Sequence, residues 1–251
     1  MDLGLKGKSY VVTAASAGLG RAVAEELVAE GAHVVPVARR GEVLDAFAAA
    51  HPGQVTPLVA DLADPDVPRR AAELAYEAYG RLDGAMVSVG GPPRGGVLEN
   101  SDDEWLAAFA SVFLAALRVS RAVIEVGGSD VTLGYVLSTS SKSPLGTMAI
   151  SNGLRPGLAM LVKQLADELG PLGGRTFGLM PGSIDTERLQ ALRAGSADPV
   201  EAKRAAEAAI PLRRFGEPAE FGRVGAFLLS PAASYVTGCL IPVDGGSMRA
   251  L

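Results

Sequence analysis

The chain has 251 residues, of which 48% are hydrophobic and 20% are charged, with a formal net charge of −5. A chain of this length can bury a full-sized core, and its apolar content excludes a disordered protein. Lysine and arginine total 23 against 28 acidic residues, which argues against a nucleic-acid partner. The single cysteine, Cys239, excludes an intrachain disulfide, and no metal site is expected.

Targeting and membrane segments are also not expected. No apolar run approaches the roughly 20 residues that a membrane helix needs. The N-terminus lacks the basic start, apolar stretch and small-residue cleavage site of a signal peptide. These patterns predict a cytoplasmic protein that is not bound to a membrane. No repeat or linker divides the chain, so one domain over residues 1–251 is expected.

Short apolar runs predict the strands of a sheet. The candidate strands are Ser9–Ala14, His33–Ala38, Val55–Ala60, Gly84–Ser88, Val131–Ser138, Arg175–Met180 and Cys239–Val243. Most are continuous apolar runs, as is typical of parallel strands covered on both faces. Helical patterns separate them. This alternation predicts a Rossmann-type, doubly wound α/β fold with a seven-stranded parallel sheet flanked by helices.

Four helices have clear sequence signals. Leu19–Glu30 repeats apolar residues on one face and stops at Gly31. A capping box at residues 101–104 begins a helix that is expected to reach about Val126. An apolar stripe from Leu154 to Leu169 predicts another helix. Pro218 lies just inside the start of a helix that ends near Leu229.

The turn between the first strand and the first helix is a candidate phosphate-binding turn. Gly18 and Gly20 would let the backbone approach a pyrophosphate, whose charge a helix N-terminus favours. An ordinary tight strand–helix turn is the alternative. The candidate cofactor contacts in this turn are Thr13, Ala14, Ser16, Gly18, Leu19 and Gly20.

The residues after the second strand bear on the choice of cofactor. An NAD site would offer an acidic residue to the ribose 2′-hydroxyl, whereas this chain has Arg39-Arg40. Arginine can bind a 2′-phosphate, so NADP is favoured over NAD. A solvated arginine pair at a strand end is the alternative. Asp61-Leu62 follows the third strand, where it could contact the adenine.

Several segments together resemble the short-chain dehydrogenase/reductase family. They are Thr13 to Gly20, Val87-Ser88-Val89-Gly90, Pro181-Gly182 continuing through Ile184 to Thr186, and Val243-Asp244-Gly245-Gly246. The resemblance covers essentially the whole chain, and more narrowly it is to a divergent subgroup often labelled 3-oxoacyl-acyl-carrier-protein reductase. It implies further cofactor contacts from Ser88, Gly90, Pro181, Gly182, Ile184 and Thr186.

The chain departs from this family at the catalytic positions. The family's tyrosine position falls on Ser151 and its lysine position, four residues later, on Arg155. The family's asparagine falls on Val112 and the first glycine of its turn on Ala14. Only the carbonyl-orienting serine is kept, as Ser138.

These replacements change the expected chemistry. A serine hydroxyl is a far weaker acid than a tyrosine, and Arg155 can hold a ribose or an anion but cannot shuttle a proton. Ser151 and Arg155 still share one helix face, although both could be ordinary helix residues. We therefore consider that Lys142, in the loop after Ser138, or an ordered water replaces the tyrosine as proton donor. The alternative for Lys142 is a solvated loop residue.

Residues 186–215 are expected to form a substrate lid with a helix over Ala202–Ala209. Its apolar residues are Leu189, Leu192, Ile210 and Leu212. They predict a mainly apolar small-molecule substrate, with Arg188 or Arg94 available for a carboxylate or a phosphate. The alternative is that the apolar residues only seat the lid on the body. Gly90–Gly96 would form the opposite rim, ordered by its prolines.

Three functions stay open at this stage. The first is an NADP-dependent oxidoreductase acting on a carbonyl or hydroxyl group, of which a 3-oxoacyl group is one case, with Ser138 as orienting donor. The second is a non-redox lyase or isomerase on the same scaffold, and the third is a nucleotide-binding protein that has lost catalysis. By resemblance alone, helices near residues 101–126 and 149–170 would pair subunits into a homodimer or homotetramer.

Overall fold

The computed structural model describes residues 1–195 and 198–250, and the side chains of Leu192 and Arg193 are outside the description. The side chain of Leu192, which belongs to the expected lid, therefore lies outside the described part of the chain. The strands are β1 (Ser9–Thr13), β2 (His33–Ala38), β3 (Leu58–Val59), β4 (Gly84–Val87), β5 (Thr132–Val136), β6 (Arg175–Pro181) and β7 (Cys239–Val243). They form one parallel sheet in the order β3-β2-β1-β4-β5-β6-β7, which confirms the predicted fold class.

Helices cover both faces of this sheet. They are α1 (Gly18–Ala29), α2 (Gly41–Ala50), α3 (Val67–Tyr79), α4 (Asp102–Ala108), α5 (Ala115–Gly127), α6 (Ala149–Leu169), α7 (Glu187–Ala194), α8 (Pro199–Ala209) and α9 (Pro218–Leu229). Residues of α3, α5 and α6 enter one buried cluster, and residues of α1 and α9 enter the other. The sheet is apolar on both faces because each face is covered.

The boundaries of several elements differ from the prediction. β3 has two residues rather than the six of Val55–Ala60, and Val55 makes only an isolated bridge to Val34. This strand lies at the edge of the sheet, where one side has no neighbour to extend the pairing. β5 is shorter than Val131–Ser138, so Ser138 lies beyond the strand in a loop. The sequence patterns did not predict residue ranges for α2, α3 and α7.

The predicted capping box is confirmed, but the helix after it is not uniform. The Glu104 backbone N–H donates to Ser101 Oγ at 3.3 Å, and the Ser101 N–H donates to the Glu104 carboxylate at 2.9 Å. A π-helical segment, Phe109–Leu114, separates α4 from α5. Ser111 Oγ donates to the Ala107 carbonyl at 2.8 Å, a bond that competes with the helix ladder.

One helical stretch has the length and composition of a membrane span, which the pattern of apolar runs did not predict. Residues Asp102–Gly127 form one helical stretch of 26 residues that is apolar enough to cross a bilayer. However, 44% of its apolar window is buried inside the fold. Val112, Ala116 and Val119 of this stretch belong to a buried cluster with residues of α3 and α6. It packs as a core helix of the sheet.

Candidate active site

The ends of β1 and β4 are joined directly at the candidate phosphate turn. Thr13 Oγ1 donates to the Ser88 carbonyl oxygen at 2.5 Å and accepts from the Ser88 N–H at 2.9 Å. Both residues are buried. The two bonds hold the turn after β1 against the loop after β4, which brings two of the predicted cofactor segments together.

The turn requires glycine at two positions, because of a close contact with backbone atoms at one and a positive φ at the other. A Cβ at Gly20 would lie 2.7 Å from the Ala14 carbonyl oxygen and 2.8 Å from that of Thr13. Gly18 has a positive φ of 61°, and a Cβ there would lie 3.5 Å from Thr186 Cγ2. α1 begins at Gly18, one residue before the predicted Leu19. The turn therefore packs tightly against its own carbonyl groups at the start of α1, where a helix N-terminus favours an anion.

Ala14 occupies a conformation that suits glycine. Its φ is +51°, in the left-handed region that residues with a Cβ rarely adopt. This is the position at which the related family has the first glycine of its turn. The backbone shape of the turn is thus kept at a cost in strain, although the glycine is not.

The two arginines after β2 lie beside the turn, as expected. Arg40 Nε donates to Ser16 Oγ and Arg40 Nη2 to the Ser16 carbonyl oxygen, each at 3.1 Å. Arg40 Nη1 also lies 3.3 Å from a Glu187 carboxylate oxygen. Arg39 Nη1 lies 3.7 Å from Asp61 Oδ2, and both side chains are exposed. Leu62 is half-buried and packs against the core.

Ser138 lies in the loop after β5. Among the described residues, no hydrogen-bond acceptor is found for its hydroxyl proton. Its Oγ accepts from the Ser140 N–H at 3.1 Å, and the side chain is half-buried. Because Oγ accepts from within the loop, its proton is available for an external acceptor. This geometry suits the donor role predicted for Ser138.

The serine at the family's tyrosine position is enclosed. Ser151 is buried and its Oγ lies 3.1 Å from Ser140 Oγ. Ser140 is buried as well, so it links Ser138, through its N–H, to Ser151, through its hydroxyl. Sequence reasoning missed Ser140, since only the fold brings the loop after β5 against the first turn of α6. Ser151 and Ser138 are therefore brought together through a third serine.

Arg155, one helical turn after Ser151, is 6% exposed. Its Nη1 donates to the Val136 carbonyl oxygen at 2.6 Å, whereas its buried Nε has no hydrogen-bond partner. Burial, and to a lesser degree the nearby Arg188 guanidinium, lower the pKa of Arg155 to about 10. The side chain thus remains a cation at neutral pH, with one donor unused.

Two other groups bear on the proton donor. Lys142 is exposed, which differs from the partly buried lysine that the hypothesis assumed. Tyr135 on β5 is buried, and its hydroxyl lies 2.6 Å from Ser120 Oγ on α5. Burial raises the pKa of Tyr135 to about 12. Tyr135 therefore belongs to the core and does not replace the missing tyrosine.

The segment after β6 packs against the end of β7 and the residue that follows it. The Gly182 N–H donates to the Val243 carbonyl oxygen at 3.0 Å, and a Cβ at Gly182 would lie 2.6 Å from Asp244 Cα. Ile184 is buried and pairs with Gly216, while Pro181 and Thr186 are half-buried. Gly90 is exposed, with open space where a Cβ would be. All of these residues follow the carboxyl ends of parallel strands, where such sheets bind ligands.

Over residues 1–195 and 198–250, no group of three or more His, Cys, Asp or Glu side chains is placed to hold a metal ion.

Comparison with known proteins identifies relatives across nearly the whole chain. A family model described as enoyl-(acyl carrier protein) reductase matches residues 13–248. The 3-oxoacyl-[acyl-carrier-protein] reductase FabG of Thermotoga maritima is 31% identical, covering 96% of this chain and 98% of that protein. L-xylulose reductase of Mesocricetus auratus is 33% identical, covering 98% of both. The structure of L-sorbose reductase from Gluconobacter frateurii, complexed with NADPH and L-sorbose, matches with a TM-score of 0.92 at 27% identity over 100% of both chains.

Proposed function

The chain belongs to the short-chain dehydrogenase/reductase family, and we propose that it is an NADP(H)-dependent oxidoreductase that reduces the carbonyl group of a small molecule. The observation that carries this proposal is the arrangement of Arg40 over Ser16, at the mouth of a turn that only glycine at position 20 fits. L-sorbose reductase, a structural relative, was solved with NADPH, which supports the same cofactor here.

The residues of the turn fit a dinucleotide phosphate. Gly18 and Gly20 expose the N-terminus of α1 to the pyrophosphate, and Thr13 fixes the turn against Ser88. Arg40 supplies a guanidinium for a 2′-phosphate, which can accept two parallel hydrogen bonds from it. Glu187, which now lies beside Arg40 Nη1, would have to move away so that the phosphate could contact that side of the guanidinium. We assign the adenine contacts to Asp61 and Leu62.

The chemical step follows from the groups around Ser138. When bound, the cofactor supplies the hydride that reduces the carbonyl carbon. Ser138 donates its hydroxyl proton as a hydrogen bond to the carbonyl oxygen, and Ser140 holds Ser138 in that orientation. Arg155 holds the nicotinamide ribose and keeps positive charge beside the oxygen on which negative charge develops.

The proton for the product alcohol comes, in this proposal, from water. Ser151 and Arg155 both hold their protons at neutral pH, and the pKa of Tyr135 is raised to about 12 in the core. We retain Lys142 as a second candidate donor, to be separated from water by the pH dependence of the rate.

The lid and its contacts support a small substrate with an apolar body. The pairing of Ile184 with Gly216 closes the base of the 186–215 excursion, and Leu189 is half-buried at its start. Ile210 seats the excursion on the body, since a Cβ at Gly245 would lie 2.9 Å from its Cγ2. Leu212, 63% exposed, is left as apolar lid surface. A 3-oxoacyl thioester is one substrate of this kind.

We also propose a cytoplasmic homodimer or homotetramer. Leu106, Phe109 and Met160, on the helical segments over 102–114 and on α6, are exposed apolar side chains that a second copy would cover. Light scattering of the purified protein tests this assembly, and a Met160→Glu variant should shift the mass toward the monomer.

Titration with NADPH and NADH tests the cofactor proposal. Followed through Trp105 fluorescence or calorimetry, the wild-type protein should bind NADPH at least about 10-fold more tightly than NADH. Arg40→Met should remove most of that preference, because the 2′-phosphate loses its partner, while NADH affinity stays the same. Arg70→Met is the matched control, since Arg70 is an exposed arginine on α3 that has no proposed cofactor contact. Binding of neither nucleotide would reject the oxidoreductase and leave a non-redox or non-catalytic role.

A further inference from the structure

Arg188, on the first turn of α7, lies flat against the loop that follows β4. A Cβ at Gly91 would lie 1.8 Å from Arg188 Nη1 and 2.4 Å from both Cζ and Nη2. The guanidinium therefore covers the Cα of Gly91, and any other residue at this position would displace it. This contact joins segments that follow different strands, because α7 follows β6 whereas Gly91 follows β4.

The loop that carries Gly91 is fixed to the start of α6. The Gly95 N–H donates to the Thr147 carbonyl oxygen at 2.9 Å, and the Ala149 N–H donates to the Gly95 carbonyl oxygen at 3.1 Å. These bonds place the rim beside the helix that carries Ser151 and Arg155. Arg188 on α7 is also close enough to Arg155 on α6 for its charge to help lower the pKa of Arg155.

The positive charges of Arg155 and Arg188 are not balanced by a carboxylate among the described residues. Arg155 is only 6% exposed, and its Nε has no hydrogen-bond partner. No ion pair to Arg155 or Arg188 occurs among the described residues, whereas Arg40, Arg69 and Arg214 each face a carboxylate. The mutual repulsion of Arg155 and Arg188 helps to lower the pKa of Arg155. Two like charges held together without a counterion favour an anionic ligand.

We propose that Arg188, seated on Gly91 and supported by the buried Arg155, binds a free carboxylate of the substrate, so that the substrate class is an oxo acid. This inference rests on the proposed reductase function and narrows it. The carbonyl would face Ser138 while the carboxylate faces Arg188, and an apolar remainder would lie under the lid. A neutral ketone or a thioester without a free carboxylate would leave the Arg188 guanidinium without an anionic partner, so the substrates suggested above are narrowed to those that carry a free carboxylate.

Binding of oxamate tests the proposal without requiring turnover. Oxamate carries a carboxylate next to a carbonyl, and oxamide is its neutral counterpart. Calorimetry on the protein saturated with NADPH should give at least about 10-fold tighter binding of oxamate than of oxamide. Arg188→Met should abolish that preference while NADPH affinity changes by less than about 2-fold.

Two further variants separate this site from its rivals. Gly91→Ala keeps every charge but displaces the Arg188 guanidinium, and should weaken oxamate in the same way. Arg94→Met removes an exposed arginine of the same rim and should leave oxamate binding unchanged. Oxamate binding that depends on Arg94, or that does not exceed oxamide binding, overturns the proposal.

The outcomes also distinguish this inference from the proposed function. If Arg188→Met weakens NADPH instead of oxamate, Arg188 serves a cofactor phosphate and the carboxylate site is rejected. If the wild-type protein binds no NADPH, the reductase fails independently, and the same titration on the free protein decides the carboxylate site. In that case the carboxylate site is supported only if oxamate binds to the free protein and Arg188→Met removes that binding.

Discussion

The candidate phosphate turn over residues 13–20 and the residues at the family's catalytic positions, Ser138, Ser151 and Arg155, lie at the same edge of the sheet, yet different parts of the chain shape them. The turn is defined by backbone approaches at Gly20 and by the bonds between Thr13 and Ser88. The catalytic region is defined by side chains, and two of these differ from the family pattern. Backbone geometry can survive a residue change, as at Ala14, whereas loss of the family's acidic group means that the proton must come from another source.

The largest expected effect concerns the donor at the catalytic end. Ser138→Ala should lower kcat by about 10²- to 10³-fold on any carbonyl compound that the wild-type enzyme reduces, because one oxyanion donor is lost. NADPH affinity should not change. Ser143→Ala, an exposed serine of the same loop, is the control for steady-state kinetics. Equal rates for Ser138→Ala and the wild-type protein would remove Ser138 from the mechanism.

At the turn, Gly20→Ala should destabilise the protein by about 1–3 kcal/mol, since a Cβ collides with two backbone carbonyl oxygens that have no room to move. NADPH binding should weaken as well, because relief of the clash must open the turn. Urea unfolding measures the stability change. Gly146→Ala is the matched control, with open space around its Cβ position. A Gly20→Ala variant as stable as its control would contradict the described turn.

The buried Ser140–Ser151 pair should affect stability more than rate. Ser151→Ala removes the partner of Ser140 Oγ and should lower the free energy of unfolding by about 0.5–1.5 kcal/mol. Its kcat should stay within about 3-fold of wild type, because Ser151 is buried and its hydroxyl is paired with that of Ser140. A loss of rate comparable with that of Ser138→Ala would instead make Ser151 a member of the proton path.

A smaller effect of opposite sign is expected at Ala14. Ala14→Gly relieves the strain of a φ of +51° and should stabilise the protein by about 0.5–1 kcal/mol after the entropy of the added glycine is counted. The shift in the urea midpoint measures it, with Ala17→Gly as a control in extended backbone. Destabilisation of both variants to the same degree would show that Ala14 is not strained.

The sequence predicted the sheet well because its strands are continuous apolar runs between helices. It placed Thr13, Ser16, Arg40 and Thr186 correctly at one edge, since the carboxyl ends of parallel strands meet there. Edge strand β3 was predicted too long, because an apolar run does not reveal where pairing ends.

The candidate site was less predictable in its side-chain contacts. Ser140 and the contact of Arg188 with Gly91 depend on loops from different strands, and no spacing in the sequence encodes that approach. The exposure of Lys142 was likewise not visible from its position after a run of serines. The residue types thus indicated that the family's tyrosine and lysine are absent. The fold showed which side chains surround those two positions.

The smallest expected effect is the most informative about the proton. If water is the donor, the single-turnover rate should be flat between about pH 6 and 9, because no group in the proposed step titrates there. Arg155, with its pKa lowered to about 10, keeps its charge over this range and loses it only as the pH rises through that value. The rate should therefore fall only above about pH 10, where the positive charge beside the oxygen is lost. Lys142→Ala should leave both rate and profile unchanged. A rate that titrates near neutral pH in the wild-type protein and becomes flat in Lys142→Ala would instead identify the lysine as the donor.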